Sequence, residues 1–229
     1  MILEKAFSEG RNTLSEHESK ELIKSYGIPV TREIEVRNLQ ELNEAVKTIR
    51  FPLVMKSSSS RISHKSERGL VKLDIRNQAE ADSAFKEITS VIEEEDGAVL
   101  VQEMIRGGRE LMAGLIRDPQ FGPCVMFGLG GIFTEILKDV SFRVAPLERR
   151  DALEMTREIR AHKILEQVRG LPAADMDQLV DILITMGRIG LEHERIKEID
   201  INPLILEGSR PVAVDALVVL KSLTEPTEN

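Results

Sequence analysis

A two-residue turn, Gly208-Ser209, lies near the carboxyl end of the chain between two segments of strand-like sequence. Glycine followed by serine in such a place is typical of a tight β-hairpin, because glycine accepts the backbone angles that a two-residue loop requires. We therefore predict strands over residues 196–206 and 210–219. A two-residue loop also fixes the register, so the residues that face each other across the hairpin follow from the sequence.

The first of these strands carries oxygen-bearing side chains at every second position. Glu198, Asp200 and Asn202 alternate with isoleucines and therefore project from one face. Pairing outward from the turn places Asn202 opposite Asp215, and directly opposed side chains have Cβ atoms ~5 Å apart. An amide oxygen and a carboxylate at that spacing suit Mg²⁺, which completes its octahedron with water and phosphate. A solvated polar face on an edge hairpin would give the same pattern.

The rest of the chain alternates between amphipathic helices and short apolar strands. The spacing of apolar residues predicts helices over 15–26, 39–49, 78–93, 148–160 and 176–193. Strands are predicted over 30–36, 53–56, 71–75, 99–104, 110–117, 124–128 and 141–145. Gly107 and Gly108 interrupt this order as a natural hinge. We therefore predict an α/β fold made of two α+β lobes, residues 1–104 and 105–229.

The charge and hydropathy of the chain exclude several classes of partner. Of its 229 residues, 31 are Lys or Arg and 39 are Asp or Glu, which gives a net charge of −8. A broad attraction to nucleic acid or to anionic lipid is therefore not expected. The apolar runs are much shorter than the ~20 residues that span a bilayer, so we predict no transmembrane helix and no membrane partner.

The amino terminus and the cysteine content favour one compartment. The sequence Met-Ile-Leu-Glu-Lys lacks the basic and apolar regions of a secretory signal. The single cysteine, Cys124, cannot form an intramolecular disulfide, and we expect it to be packed in a strand. These observations predict a cytoplasmic protein.

Three charged residues stand where they could bind a small ligand. Lys56 ends an apolar strand, so its aliphatic stem can pack while its ammonium reaches a phosphate. Glu103 and Glu110 flank the glycine hinge, where carboxylates could accept hydrogen bonds from a ribose hydroxyl or an exocyclic amine. Ordinary surface lysine and glutamate residues would show the same local pattern.

His64 lies in a polar loop that begins with four serines, Ser57 to Ser60, and that has too few apolar residues to bury an imidazole. A neutral imidazole can attack phosphorus, and the neighbouring Arg61, Lys65 and Arg68 could neutralise a phosphoryl group. A histidine that is simply exposed to solvent is the alternative.

Two familiar phosphate-binding motifs are absent. Gly128-Leu129-Gly130-Gly131 follows a strand, but it lacks the third glycine of the dinucleotide-binding motif. We interpret it as a turn that lets the backbone approach a ligand or a partner. The sequence has no GxxxxGK[ST] pattern, which disfavours a P-loop enzyme.

Several blocks of sequence, taken in order, resemble one family. The blocks are Ser25-Tyr26-Gly27-Ile28-Pro29-Val30, Pro52 to Lys72 with His64-Lys65-Ser66, Val101-Gln102-Glu103-Met104, Gly107-Gly108-Arg109-Glu110, Asp118 to Pro123, Phe127 to Pro146, Asp200-Ile201-Asn202-Pro203-Leu204 and Val214-Asp215. From Leu14 to Leu220 the chain resembles the beta subunit of ADP-forming acetate-CoA ligase, a relative of the succinyl-CoA synthetase beta subunit. The resemblance implies an ATP-grasp fold, in which two lobes close on a nucleotide.

The resemblance implies roles for the residues near the nucleotide, ATP or ADP. Lys56 matches a lysine that contacts the nucleotide phosphates. Glu103 and Glu110 match residues on the hinge side, near adenine and ribose. The residues whose backbone is expected to serve the adenine edge are Gln102, Glu103, Met104 and Ile105.

The resemblance also implies a metal site and a mobile catalytic loop. Asn202 and Asp215 match Mg²⁺ ligands, and Asp200 is expected to support them. His64 matches a histidine on a mobile loop that relays phosphate from a catalytic histidine of the alpha subunit. Leu70 departs from the pattern, because relatives usually have a second glycine there, and it would stiffen this loop.

The implied reaction converts acyl-CoA, ADP and phosphate to a carboxylic acid, ATP and CoA. This chain would carry out the nucleotide half, because no CoA-binding motif of the dinucleotide type occurs in it. The resemblance therefore implies an alpha subunit that carries the CoA and acyl sites and a catalytic histidine, in an α2β2-type assembly.

Two other functions fit parts of the same pattern. An ATP-grasp carboxylate-amine ligase would need its own acceptor pocket, and the loop of His64 argues against it. A non-catalytic, nucleotide-binding regulatory module would arise if Leu70 held that loop still. Lys56, Asn202 and Asp215 would look the same in such a module, so turnover of ADP with the alpha partner is the observation that separates the two.

Overall fold

The computed structural model describes residues 2–58, 69–91, 97–131 and 139–222. Its contacts group the chain into two compact units. Unit 1 contains Met1–Leu14, Glu18–Val30 and Arg106–Asn229, and unit 2 contains Ser15–His17 and Thr31–Ile105. The grouping differs from a division at residue 104 because Leu14, Ile23 and Ile28 pack into the core of unit 1. The two predicted lobes therefore stay a prediction.

The described residues form six α-helices, one 3₁₀-helix and ten strands. The helices are α1 (Ile2–Ser8), α2 (Glu16–Ser25), α3 (Leu39–Ile49), α4 (Gln78–Val91), α5 (Arg149–Glu158) and α6 (Met176–Glu192), with a 3₁₀-helix at His162–Leu165. The strands are β1 (Glu33–Val36), β2 (Leu53–Ser57), β3 (Val71–Ile75), β4 (Val99–Glu103), β5 (Glu110–Asp118), β6 (Gly122–Leu129), β7 (Val140–Val144), β8 (Ile196–Glu207), β9 (Arg210–Ala213) and β10 (Leu217–Leu220).

Unit 2 is an antiparallel sheet in the order β1-β4-β2-β3 that packs against α3 and α4. Alternate strand residues enter its core, among them Leu53 and Met55 of β2 and Val99 and Val101 of β4. Because side chains alternate along a strand, the residues between them face the other side of the sheet. That second side carries the polar residues of unit 2 that are described below.

Unit 1 is built on a larger antiparallel sheet in the order β10-β8-β5-β6-β7, with β9 paired to β8. Helices α5 and α6 cover one face, where they form a core with apolar residues of β5, β6 and β8. The amphipathic pattern of α6 explains this position, since Leu179, Leu183, Met186 and Ile189 all lie on its buried side. The polar residues of β8 therefore belong to the opposite face.

The helices and strands were largely predictable from local pattern. Helix α3 occupies the predicted residues, and the side chain of Asn38 caps it by accepting a hydrogen bond from the backbone N–H of Glu41 at 2.9 Å. Neither α1 nor the 3₁₀-helix was predicted, because elements of seven and four residues are too short to show a clear period. Cys124 is free and buried on β6, as expected, and burial raises the pKa of its thiol.

The predicted hairpin register is confirmed where the strands pair, although the second strand is interrupted. Glu207 pairs with Arg210 and Leu204 with Ala213, as counting from the turn requires. Residues 214–216 then leave the ladder, and pairing resumes in the same register where Leu217 faces Asp200. The predicted single strand over 210–219 is therefore two strands.

A β-bulge lies in β8 at the residues that precede the paired part of the hairpin. Leu111 of β5 faces Leu204 and Ala113 faces Ile201, so Asn202 and Pro203 together oppose a single residue of β5. An extra residue of this kind changes the direction of the local side chains, and bulges are frequent beside functional sites. Strict alternation from Glu198 to Asn202 did not predict it.

No helix among the described residues is long and apolar enough to cross a membrane.

Arg109 holds three parts of unit 1 together. Its guanidinium donates to the carbonyl oxygens of Ile164 at 3.1 Å, Glu166 at 3.4 Å and Gly208 at 2.6 Å, and the residue is only 4% exposed. The start of β5 is thereby tied to the 3₁₀-helix and to the tip of the hairpin.

Replacing Arg109 with alanine should destabilise unit 1 by about 3 kcal/mol. Three carbonyl oxygens would lose a charged hydrogen-bond donor, and a carbonyl that stays buried without a donor costs free energy. The measurement is chemical denaturation followed by circular dichroism. Arg106→Ala is the matched control, since Arg106 is exposed, and it should change the free energy of unfolding by less than about 0.5 kcal/mol. Equal effects of the two substitutions would contradict this account of Arg109.

Candidate functional site

Lys56 and Gln102 lie on the polar side of the unit 2 sheet. Lys56 is on β2 and Gln102 on the neighbouring β4, and both are at positions that alternate with core residues. Lys56 is 5% exposed and Gln102 is fully buried. Glu33 faces Gln102 from β1 in the ladder. A buried face of this polarity is not explained by packing alone, because buried polar groups cost free energy unless they are bound to partners.

The ammonium of Lys56 is held by a carboxylate from outside the sheet. Lys56 Nζ donates to Glu16 Oε1 at 2.7 Å, and the two side chains are 6% and 2% exposed. Glu16 stands in the first turn of α2, within the short segment that groups with unit 2. The next residue, His17, contacts Glu33 Oε1 through Nδ1 at 2.9 Å. A second contact with a glutamate therefore involves the residue next to Glu16.

Glu103, predicted to serve a ribose or an exocyclic amine, is bound within unit 2. Its two carboxylate oxygens accept hydrogen bonds from the backbone N–H and Nε of Arg32, at 2.8 and 2.7 Å. Its own backbone N–H donates to the carbonyl of Arg32 at 3.0 Å. Met104 and Ile105 follow the end of β4 and are half-buried. Their role at the adenine edge stays a prediction.

Glu110, on the far side of the glycine hinge in sequence, belongs to unit 1 and opens β5. It lies against the turn at Gly130 and Gly131. A Cβ atom on Gly130 would come 2.3 Å from the carbonyl oxygen of Leu111, and one on Gly131 would come 2.0 Å from Glu110 Oε2. Gly131 also has a φ of +61°, which other residues rarely adopt. The turn therefore requires glycine at both positions.

Asn202 is tied to the same turn. Its Oδ1 accepts a hydrogen bond from the backbone N–H of Gly131 at 2.9 Å. The β-bulge of β8 thus directs the amide of Asn202 to the glycine turn, which also contacts Glu110. An amide oxygen has two lone pairs, so this hydrogen bond leaves capacity to bind a cation.

Asp200 is the most perturbed acidic group near Asn202. Its Oδ1 is buried and has no hydrogen-bond partner among the described residues. Burial, and then the nearby charges of Glu198 and Asp215, raise the pKa of Asp200 to about 6. A carboxylate oxygen that is buried, unpaired and close to two other carboxylates is typical of a site that receives a cation.

The donor set fits Mg²⁺ better than a metal that is bound by protein alone. Within the described ranges no group of three or more His, Cys, Asp or Glu residues could hold a metal ion. Mg²⁺ usually takes one or two protein oxygens and keeps water and phosphate as its other ligands. Asn202 and Asp215 match that requirement in ligand type and number, and Asp215 is close enough to Asp200 to raise its pKa after burial and Glu198.

The predicted nucleophile, His64, lies outside the described residues, so its position is not known. Leu70, the departure near that loop, is 1% exposed and packs in the core of unit 2. Its side chain therefore has a packing role, which a second glycine could not fill.

Sequence reasoning missed the acidic partners of unit 2. Glu16 and Glu33 are nearly fully buried, and Glu16 contacts Lys56. In the sequence Glu16 looked like part of a helix-capping motif, Ser15 to Glu18, which hid any other role. The even spacing of Glu33 and Glu35 on β1 was the signal that could have found the polar face.

The chain matches the family model of the ATP-grasp domain over residues 5–220. It is 48% identical over 224 residues to the beta subunit of ADP-forming acetate-CoA ligase I from Pyrococcus furiosus, with 96% of each chain covered. It is 40% identical over 224 residues to ADP-forming acetate-CoA ligase I from Archaeoglobus fulgidus, but it spans only 32% of that longer protein.

Solved structures give the same result. The chain superposes with a TM-score of 0.91 and 45% identity on acetyl-coenzyme A synthetase 1 of Candidatus Korarchaeum cryptofilum, in complex with coenzyme A, Ca-AMPCP and HgCl⁺, with 96% and 98% of the two chains covered. A second structure of that protein contains coenzyme A and Mg-AMPPCP, with its phosphohistidine segment pointing towards the nucleotide binding site. Its TM-score is 0.85 at 46% identity, with the same coverage.

The helices and antiparallel sheets described above are those of an ATP-grasp fold, as predicted. The chain therefore belongs to the ATP-grasp family and, within it, to the beta subunits of the ADP-forming acetate-CoA ligases.

Proposed function

We propose that this chain is the nucleotide-handling subunit of an ADP-forming acyl-CoA synthetase and that it phosphorylates ADP from a phosphohistidine. Over the complete cycle, acyl-CoA, ADP and phosphate would give a carboxylic acid, ATP and CoA. The observation that carries the proposal is the buried, unpaired Oδ1 of Asp200 beside two other carboxylates, because it calls for a cation at this end of β8. The structure of a relative with Mg-AMPPCP supports Mg²⁺ as that cation.

In this proposal Asn202 and Asp215 bind Mg²⁺ directly and Asp200 supports them. When bound, Mg²⁺ neutralises charge on the phosphate oxygens of the nucleotide. The contribution of the protein is to hold the ligands in place. The hydrogen bond from Gly131 to Asn202 Oδ1 orients the amide. The pairing of Asp200 with Leu217 of β10 fixes the backbone position of Asp200.

Lys56 is proposed to contact the nucleotide phosphates. Its ammonium lies on the buried polar face of unit 2, where the dielectric constant is low and one positive charge acts strongly on a phosphate. Gln102, Glu103, Met104 and Ile105 are proposed to serve adenine, and Glu110 the ribose. Release of Glu103 from Arg32 would be needed before its carboxylate could bind a ligand.

His64 is proposed to carry the phosphoryl group. In the step to ADP, the bond between its ring nitrogen and phosphorus breaks while a terminal phosphate oxygen of ADP forms the new bond to phosphorus, and the imidazole takes up a proton. Positioning and charge would supply most of the rate enhancement, as in other phosphoryl transfers. The relative whose phosphohistidine segment points towards the nucleotide supports this role.

The phosphoryl group must reach His64 from a partner. We propose an alpha subunit with the CoA and acyl sites and a catalytic histidine, in an α2β2-type assembly in the cytoplasm. Two observations support it: the P. furiosus relative is named as a beta subunit, and the A. fulgidus relative is about three times as long as the matched region. Selection of the carboxylic acid would then belong to the partner.

Replacing Asp215 with alanine should weaken binding of ADP in the presence of Mg²⁺ by at least about 10-fold, because a direct metal ligand matters more than the outer partners that cost 10–100-fold. Asn202→Ala should have a smaller effect, since a neutral oxygen is lost. Isothermal titration calorimetry with and without Mg²⁺ measures both.

The control for these two variants is Glu207→Ala, which removes an exposed carboxylate from the same hairpin and should leave affinity unchanged. All three proteins should keep their circular dichroism spectra. Undiminished affinity of Asp215→Ala for Mg-ADP would refute the metal assignment.

Given a phosphorylated alpha partner, the native chain should acquire an acid-labile, alkali-stable phosphoryl group, as expected of a phosphoramidate on histidine. His64→Ala should lose this label, and phosphorylation of ADP should fall by several orders of magnitude while affinity for ADP barely changes. Radiolabelled phosphate transfer followed by acid and alkaline treatment measures the label.

The matched control is His162→Ala, which removes a histidine of the 3₁₀-helix and should keep both label and turnover. Near-normal turnover of His64→Ala would mean that phosphate passes directly from the partner's histidine to ADP.

A further inference from the structure

Lys56 and Glu16 form a buried ion pair that the reaction as proposed does not yet use. The ammonium and carboxylate are 2.7 Å apart, and neither side chain is more than 6% exposed. The two residues are 40 positions apart in sequence, one on a strand and one in the first turn of a helix. The contact is therefore made by the fold and is not a local feature of one element.

Stability alone does not explain this pair. Removing two charges from water costs several kcal/mol per ion, and a well-packed apolar pair of similar volume is often as stable or more stable. Val54, which precedes Lys56 on the same face of β2, is 5% exposed, so this face accepts an apolar residue at the neighbouring position. A functional reason for keeping the two charges is therefore the better explanation.

The geometry matches the needs of a phosphate-binding lysine. The ammonium of lysine is a point charge on a flexible four-carbon side chain. A partner that holds the ammonium in one position therefore helps it to contact a phosphate. A carboxylate at this distance also favours the charged form of lysine, which burial opposes.

The first turn of α2 gives Glu16 a fixed position beside Lys56. Its position in the first turn of α2 lets the helix dipole stabilise a negative charge. Because the backbone of Glu16 is part of a helix and not of a loop, its carboxylate can hold the Lys56 ammonium in one position.

We propose that Glu16 is the positioning residue for Lys56: it holds the ammonium charged and oriented on the polar face of unit 2 so that it can contact the phosphates of a nucleoside diphosphate. This inference rests on the proposed role of Lys56 in nucleotide binding. Glu16 itself does not touch the nucleotide. Replacing Glu16 should therefore change the affinity only for ligands that carry phosphate, and it should change nothing when Lys56 is also replaced.

The test compares ADP with adenosine, each titrated by calorimetry into the complete chain with Mg²⁺. Glu16→Gln keeps the shape of the side chain and removes its charge. Its affinity for ADP should fall by about 10-fold or more, the size of one charge-assisted hydrogen bond, whereas its affinity for adenosine should stay the same. If Glu16 had only a structural role, Glu16→Gln would weaken the binding of ADP and of adenosine to a similar extent.

Glu18→Gln is the matched control. It makes the same chemical change two residues further along α2, where Glu18 pairs with Arg11 at 2.6 and 2.8 Å within unit 1. Binding of both ligands by this variant should equal that of the native chain. A loss of ADP affinity in Glu18→Gln as large as that in Glu16→Gln would overturn the proposal.

Lys56→Met and the double variant Glu16→Gln/Lys56→Met complete the cycle, and the double variant also avoids leaving one buried charge alone. Both should bind ADP equally weakly, because Glu16 acts through Lys56. A further loss in the double variant overturns the proposal, and so does unchanged or tighter ADP binding by Glu16→Gln. If Lys56→Met binds ADP normally, the proposed roles of Lys56 and of Glu16 are both wrong. The proposed roles of the metal ligands and of His64 do not depend on this result, because the Asp215, Asn202 and His64 variants test them.

Discussion

The register of β8 is the constraint on which the rest of unit 1 depends. This twelve-residue strand pairs with β5, β9 and β10, and its isoleucines at 199 and 201 are fully buried in the core. The residues between them, including Asp200, must then face the other side. A slip of one residue would exchange the two sets, placing carboxylates in the core and isoleucines at the candidate metal site. The two-residue turn after β8 prevents that slip, because it allows a single pairing with β9.

The same strand shows how far the sequence could predict the structure. The turn and the alternation of Glu198, Asp200 and Asn202 were visible as local patterns, and so the hairpin register followed. The bulge at Asn202 and the interruption after Ala213 were not visible, because both depend on how β8 pairs with β5 and β10 at once. Local pattern predicts which residues share a face, but contacts with several strands decide where the ladder breaks.

The buried charges of unit 2 were harder to predict than its core. The spacing of apolar residues in α3 and β2 predicted the helix and the strand, and it also predicted which side of the sheet packs in the core. Nothing in the sequence near Lys56 indicates Glu16, because 40 residues separate them and the contact needs the folded sheet. The family resemblance named Lys56 and the metal ligands, whereas the structure adds the groups that hold them: Glu16 for the lysine, and Gly131 for Asn202.

Glu198, Asp200 and Asp215 lie close together, and this arrangement sets the stability of the chain against the binding of a cation. Burial, and then the nearby charges of Glu198 and Asp215, oppose the charged form of Asp200, so a carboxylate there costs free energy that a neutral residue would not. Selection for stability alone would favour an amide at position 200. If these residues bind a cation as proposed, substitutions that neutralise them would stabilise the chain and weaken that binding at the same time.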